Sequence, residues 1–172
     1  MTDSAGSPGS EIATAKVEHW GDGTFRAVLN AVAAQGFIRF DDNPTAEETV
    51  VINGVTWTFK TSGAAGDQSN LGATVGDTVD NLVTALNASA DTDIDDATYS
   101  NVNDELHVVH DTAGTGGNAF TLAAGTAEVT LSGAALAGGE AGIEYRLHLS
   151  GKTAIARMTA YILGLVGVIG KE

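Results

Sequence analysis

The chain has no cysteine, which excludes a disulfide framework, a thiolate metal site and a cysteine nucleophile. Basic residues are scarce, with 8 Lys and Arg against 22 Asp and Glu, for a net charge of −14 and a pI near 4.3. Phosphate backbones are held by concentrated Lys and Arg, so nucleic acid is not expected as a partner. No basic and apolar leader opens the sequence, so no signal peptide is expected. Its longest apolar stretch, at 153–169, is too short and glycine-interrupted to span a bilayer, so no membrane partner is expected. Nor is there a Gly-x-Ser-x-Gly elbow or an assignable Ser/His/Asp set.

What is present suits a folded domain: 43% of the residues are hydrophobic and 17% charged over 172 residues, enough to bury a core. The charge is uneven. From Thr61 through Tyr145 there are thirteen acids and no Lys or Arg, while the remainder holds nine acids against eight bases. An acidic, solvent-facing body is one reading of that pattern, with near-neutral ends that meet a partner.

Residues 1–10 are small and polar and read as an arm. Over 24–35, Phe25, Val28, Leu29 and Val32 have helical spacing before Gly36, although Phe25 to Val32 can also extend as a strand. Gly36-Phe-Ile-Arg-Phe reads as a strand, and residues 49–60 as a β-hairpin turning on Asn53-Gly54. Asn-Gly accepts the positive φ angles of a type I′ turn. A two-residue turn there pairs Ile52 with Val55 and Val50 with Trp57, and places Val50, Ile52, Val55, Trp57 and Phe59 on one face. Residues 61–75 read as a loop. A helix follows on the stripe Val79, Leu82, Val83, Leu86, with Asp77 as its cap. Strands are expected at 98–102 and 105–110 around Asn103-Asp104, then at 119–123, 128–132 and 143–149. At 153–169, Ile155, Met158, Ile162, Leu165 and Ile169 form a heptad-like seam on a helix apolar nearly all round. Such a helix calls for cover, and this seam is the expected oligomer or partner interface.

The expected fold is therefore mainly β, a small antiparallel sandwich or barrel with one packed helix, with α+β content overall. It divides into an N-terminal arm with a possible short helix (1–35), a β-rich module (36–142), and a strand with a C-terminal apolar helix (143–172).

Chemistry-bearing patterns are weak. Asp91-Thr-Asp-Ile-Asp-Asp resembles the start of an EF-hand loop, but Asp96 and Val102 stand where the glycine and the bidentate glutamate belong. Asp91, Asp93 and Asp95 are the only calcium candidates, and a solvated acidic loop is the competing reading. His107 and His110, three apart in a strand, point to opposite faces and cannot readily share a metal. Gly114-Thr-Gly-Gly-Asn lacks the Lys-Ser/Thr of a phosphate loop and reads as a turn. No catalytic role and no cofactor is expected.

Residues 36–139 resemble a β-rich module of tailed-bacteriophage virion proteins. The likeness rests on Gly36-Phe-Ile-Arg-Phe, Asn43-Pro44, the hairpin from Glu48 to Lys60, the helix from Gly76 to Ala88, and Thr112-Ala-Gly-Thr-Gly-Gly-Asn-Ala-Phe-Thr-Leu. It implies a small sandwich or barrel with one helix, used on heads, tails or fibres, and brings no catalytic residues. The expected function is a capsid decoration (cement) protein on the outer head surface, a homo-oligomer (a trimer, on three-fold positions) bound to the major capsid protein. A tail tube, sheath, baseplate or fibre component is the alternative, and a glycan-binding surface module, using Trp20 or exposed Tyr, is a further one.

Overall fold

Short runs of alternating apolar residues, joined by Asn- and Asp-centred turns, build most of the molecule. The computed structural model describes residues 16–19 and 24–148. Its elements are β1 (Lys16–His19), β2 (Thr24–Leu29), β3 (Gln35–Phe40), β4 (Thr49–Ile52), β5 (Val55–Lys60), β6 (Gln68–Asn70), α1 (Val75–Asn87), β7 (Ala97–Val102), β8 (Glu105–His110), β9 (Leu122–Ala124), β10 (Val129–Leu131) and β11 (Ile143–His148). The protein is mainly β with one α-helix among the described residues, as its alternation implied. The arm at 1–10 and the apolar segment at 153–169 lie outside the described residues.

The chain divides into two compact units. In the unit Ala31–Ala141, β10-β3-β8-β7 form one antiparallel sheet and β6-β5-β4-β9 another, in which only β5 and β6 run parallel. The hairpin register is the expected one, with Val50 opposite Trp57 and Ile52 opposite Val55. Asn53 and Gly54 take φ of 46° and 82°, the left-handed pair that a two-residue turn requires. Alternation then sends Val50, Ile52, Trp57 and Phe59 inward, all nearly fully buried. From the other sheet come Ile38, Phe40, Leu106, Val108 and Tyr99. Phe40 meets Phe59 edge-on at 5.7 Å, so the two sheets share one core.

Helix α1 packs against β6 on one side and against β7 and β8 on the other, filling the side of the sandwich opposite β9 and β10. It buries Val79, Leu82 and Leu86, each such side chain contributing about 1.5–3 kcal/mol. Its cap is Thr74, not Asp77. Thr74 accepts from the Asp77 backbone while the Asp77 carboxylate accepts from the Thr74 backbone, a reciprocal box that satisfies donors at both positions. Buried Thr78 donates to Asn43 Oδ1 (2.7 Å) and accepts from Gly72 N (2.8 Å), tying the helix to two loops. The unit's entrance and exit are paired as well, through Val32 and Glu140.

Two expectations need correction. Residues 24–29 are strand β2 and not the start of a helix: β2 is the central strand of the sheet β1-β2-β11. Pairing with β11, more than a hundred residues away, overrides a helical spacing that four apolar residues also satisfy as an extended chain. Within the expected loop at 61–75, Gln68–Asn70 pairs parallel with β5, held by Thr58 N to Asp67 O and Leu71 N to Lys60 O. It carries no hydrophobic alternation, which left its sequence silent.

Candidate functional site

The acidic loop between α1 and β7 is where the sequence placed its calcium candidates. Asp91 Oδ1 accepts from the Asp93 backbone at 2.9 Å, and the Asp91 carbonyl accepts from Ile94 N and Asp95 N. The first carboxylate thus closes an Asx turn of its own loop. Ile94 is fully buried and anchors the loop to the core, and Asn53 Nδ2 donates to the Asp93 carbonyl at 2.8 Å, joining it to the first hairpin turn. Asp91, Asp93 and Asp95 do not converge. Among the described residues no group of three or more His, Asp or Glu is arranged to hold a metal ion. The EF-hand likeness ends at the spelling.

The carboxylates of this end act on one buried phenol. Tyr99, 3% exposed, donates from its hydroxyl to the Ile94 carbonyl at 2.9 Å. Burial first, then the charges of Asp111, Asp96 and Asp95, push its pKa well above the usual tyrosine range. Thr98 Oγ1 donates to Asp111 Oδ1 at 2.7 Å, and Asp111 N donates to the Asp96 carbonyl. This is a hydrogen-bonded acidic rim around a neutral tyrosine.

Among the described residues, His107 and His110 do not share a site. On strand β8, His107 lies 3.3 Å from Glu105 Oε2 and stacks on Phe37, with ring centroids 6.0 Å apart. His110 lies edge-on to Phe120 of the core, with its Nδ1 against the Thr112 backbone. The glycine-rich stretch forms a 3-10 turn over Thr115–Ala119, and Asn118 exchanges two hydrogen bonds with the Gly139 backbone (2.9 and 3.0 Å). Asn87 does the same for Tyr99 on the edge of β7 (2.9 and 3.1 Å). These amides stand in for a neighbouring strand, closing edges that would otherwise offer unpaired groups. Sequence reasoning missed them, because an asparagine that clasps a strand is spelled like any other.

Trp57 is 1% exposed, which removes it as a stacking platform for sugars; Trp20 and Tyr161 lie outside the described residues. Its indole N–H has no hydrogen-bond partner. A hollow of about 430 Å³ lies between residues 64–68 and the C-terminal end of α1; Ala65, Ala88, Asp67 and Asp91 are among its lining, with no basic residue. No helix among the described residues is long and apolar enough to cross a membrane. The expected interface residues Ile155, Met158, Ile162, Leu165 and Ile169 lie outside the described residues.

Compared with known proteins, the chain matches no protein-family model and no curated protein.

The distribution of charge stands out more than any cluster. Within 31–141 there are sixteen acids and two bases, Arg39 and Lys60, a net charge of −14. Residues 1–30 and 142–172 together hold six acids and six bases and carry none.

Proposed function

We propose that the protein is a structural component of a tailed-bacteriophage virion, a decoration (cement) protein that binds the outer head surface. The observation that carries this reading is the segregation of charge: the whole net charge of −14 belongs to one folded unit, and the rest of the chain is neutral. A cement protein stabilises a shell by adding buried area across capsomer boundaries, which opposes the outward pressure of packaged DNA. That task needs an attachment region able to approach other protein without charge repulsion, and a body that keeps the assembled surface soluble. The neutral segments supply the first and the acidic unit supplies the second. In this reading the copies associate as trimers on the shell, the major capsid protein is the partner, and nucleic acid, cofactor and catalysis have no part.

Gold-conjugated antibody against the protein, applied to intact particles and viewed by negative-stain electron microscopy, tests the assignment. Label spread over the heads is the expected result. Label confined to the tails transfers the protein to the tail tube, sheath, baseplate or fibre, and unlabelled particles with accessible epitopes overturn the virion reading.

A further inference from the structure

The outer face of the sheet β10-β3-β8-β7 is poor in charge for the unit it belongs to. Alternation turns Gln35, Phe37 and Arg39 of β3 outward, and opposite them in register stand Val109, His107 and Glu105 of β8. Residues paired across antiparallel strands share a face. Thr98, Ser100 and Val102 of β7 extend the same three rows. These positions hold one carboxylate, Glu105, and one guanidinium, Arg39, in a unit of sixteen acids and two bases. They also hold apolar surface. Val102 and Val109 are 42% and 39% exposed, and Phe37 stacks on His107 with ring centroids 6.0 Å apart. Arg39 lies 3.4 Å from Asp41 at the rim, yet half of its side chain remains open.

We infer that this face is an interface between two copies of the chain, packed sheet on sheet about a two-fold axis. What selects a second copy as the occupant is self-complementary charge. A two-fold contact sets one patch against itself, and a face rich in carboxylates would then meet like charge with like. This face does not. With the axis running along the strands between β3 and β8, each row is kept and the two columns exchange. Arg39 then faces Glu105 of the second copy, and Glu105 faces its Arg39. Phe37 and His107 exchange in the same way, so that ring lies over ring across the about 10 Å between packed sheets. At 0.15 M salt the screening length is about 8 Å, so acids lying off the face weigh less than the charges in contact. The four strands span about 15 Å by 20 Å, or about 300 Å² per copy measured as a plane. A standard interface takes about 800 Å² per partner, so this association is weak and shows at high protein concentration. The contact is two-fold, separate from the trimer proposed above, and does not rest on the virion reading.

Charge reversal in the full chain tests the pairing. Arg39→Glu sets a carboxylate against Glu105 of the second copy, and Glu105→Arg sets a guanidinium against its Arg39. In sedimentation velocity over a rising concentration series, each variant alone should associate about tenfold more weakly than the parent. Mixed in equal amounts, the two variants should associate again, because their heterodimer meets opposite charges at both contacts. If either reversal alters the far-ultraviolet circular dichroism, a chain with Arg39→Cys and another with Glu105→Cys replace the pair. This protein has no cysteine of its own. Mild copper-catalysed air oxidation of that mixture should then give more disulfide-linked heterodimer than either homodimer. A parent chain that does not self-associate overturns the inference, as does association that both reversals leave unchanged. A mixture that stays as weak as its components, or a cysteine mixture without an excess of heterodimer, overturns it equally.

Discussion

The unit Ala31–Ala141 and the sheet β1-β2-β11 are built by opposite strategies. The first holds a complete core in which two sheets and a helix bury Ile38, Val50, Ile52, Phe59, Leu82 and Leu106 to 0% exposure, and it carries sixteen acids on its outside. The second has, among the described residues, three strands, one apolar set of positions and charges of both signs. A self-sufficient unit tolerates strong like-charge repulsion because its burial outweighs it. The lesson is that net charge follows the division of the chain into two units: all of it lies in 31–141 and none in the remainder.

The largest effect expected is on attachment. Replacing Ile162 and Leu165 together with Asp puts two charges into an apolar stripe and should abolish binding to heads, while the main urea transition of the 31–141 unit stays where it was. Loss of that transition in a urea melt would erase the distinction between the units. Next, Phe59→Ala removes a fully buried ring that meets Phe40, and should cost about 3–5 kcal/mol. Trp57 fluorescence in a Trp20→Phe background reads that loss. Asn87→Ala strips two hydrogen bonds from the Tyr99 backbone and should cost about 1–3 kcal/mol by the same readout. A change within error would mean that the edge of β7 needs no clasp.

The smallest effect is confined to alkaline solution. Tyr99 holds its proton more tightly folded than unfolded, for reasons of burial and nearby carboxylates. Its contribution is therefore fully present below the unfolded pKa of about 10 and falls as pH rises above it, by up to about 1.4 kcal/mol per pH unit. Urea midpoints between pH 9 and 11 should decline in the parent chain and decline less steeply in Tyr99→Phe.

Which parts of this were legible in the sequence depended on whether two local signals agreed. In the hairpins, turn chemistry and alternation point the same way: the register of the first came out as read, and the second turns at Asn103-Asp104 as expected. The two turns are alike in backbone, with positive φ at Asn53 and Gly54 and at Asn103 and Asp104. They differ in what the second residue does. Asp104 accepts the left-handed conformation without being glycine, and its carboxylate sits beside Gly76, in the first turn of α1, where a helix N-terminus favours negative charge. Strand β2 was open to two readings because its partner β11 is remote, and β6 was invisible because its residues carry no alternation. For the calcium candidates, carboxylate spacing alone says nothing of whether a carboxylate already serves its own turn, as that of Asp91 does.

The most direct test of the account compares the full chain with a fragment of residues 31–141 in co-sedimentation with phage heads assembled without the protein. The account predicts that the full chain pellets with the heads, while the fragment, folded by circular dichroism, stays in the supernatant. A fragment that binds the heads as the full chain does would place attachment on the acidic unit and contradict it.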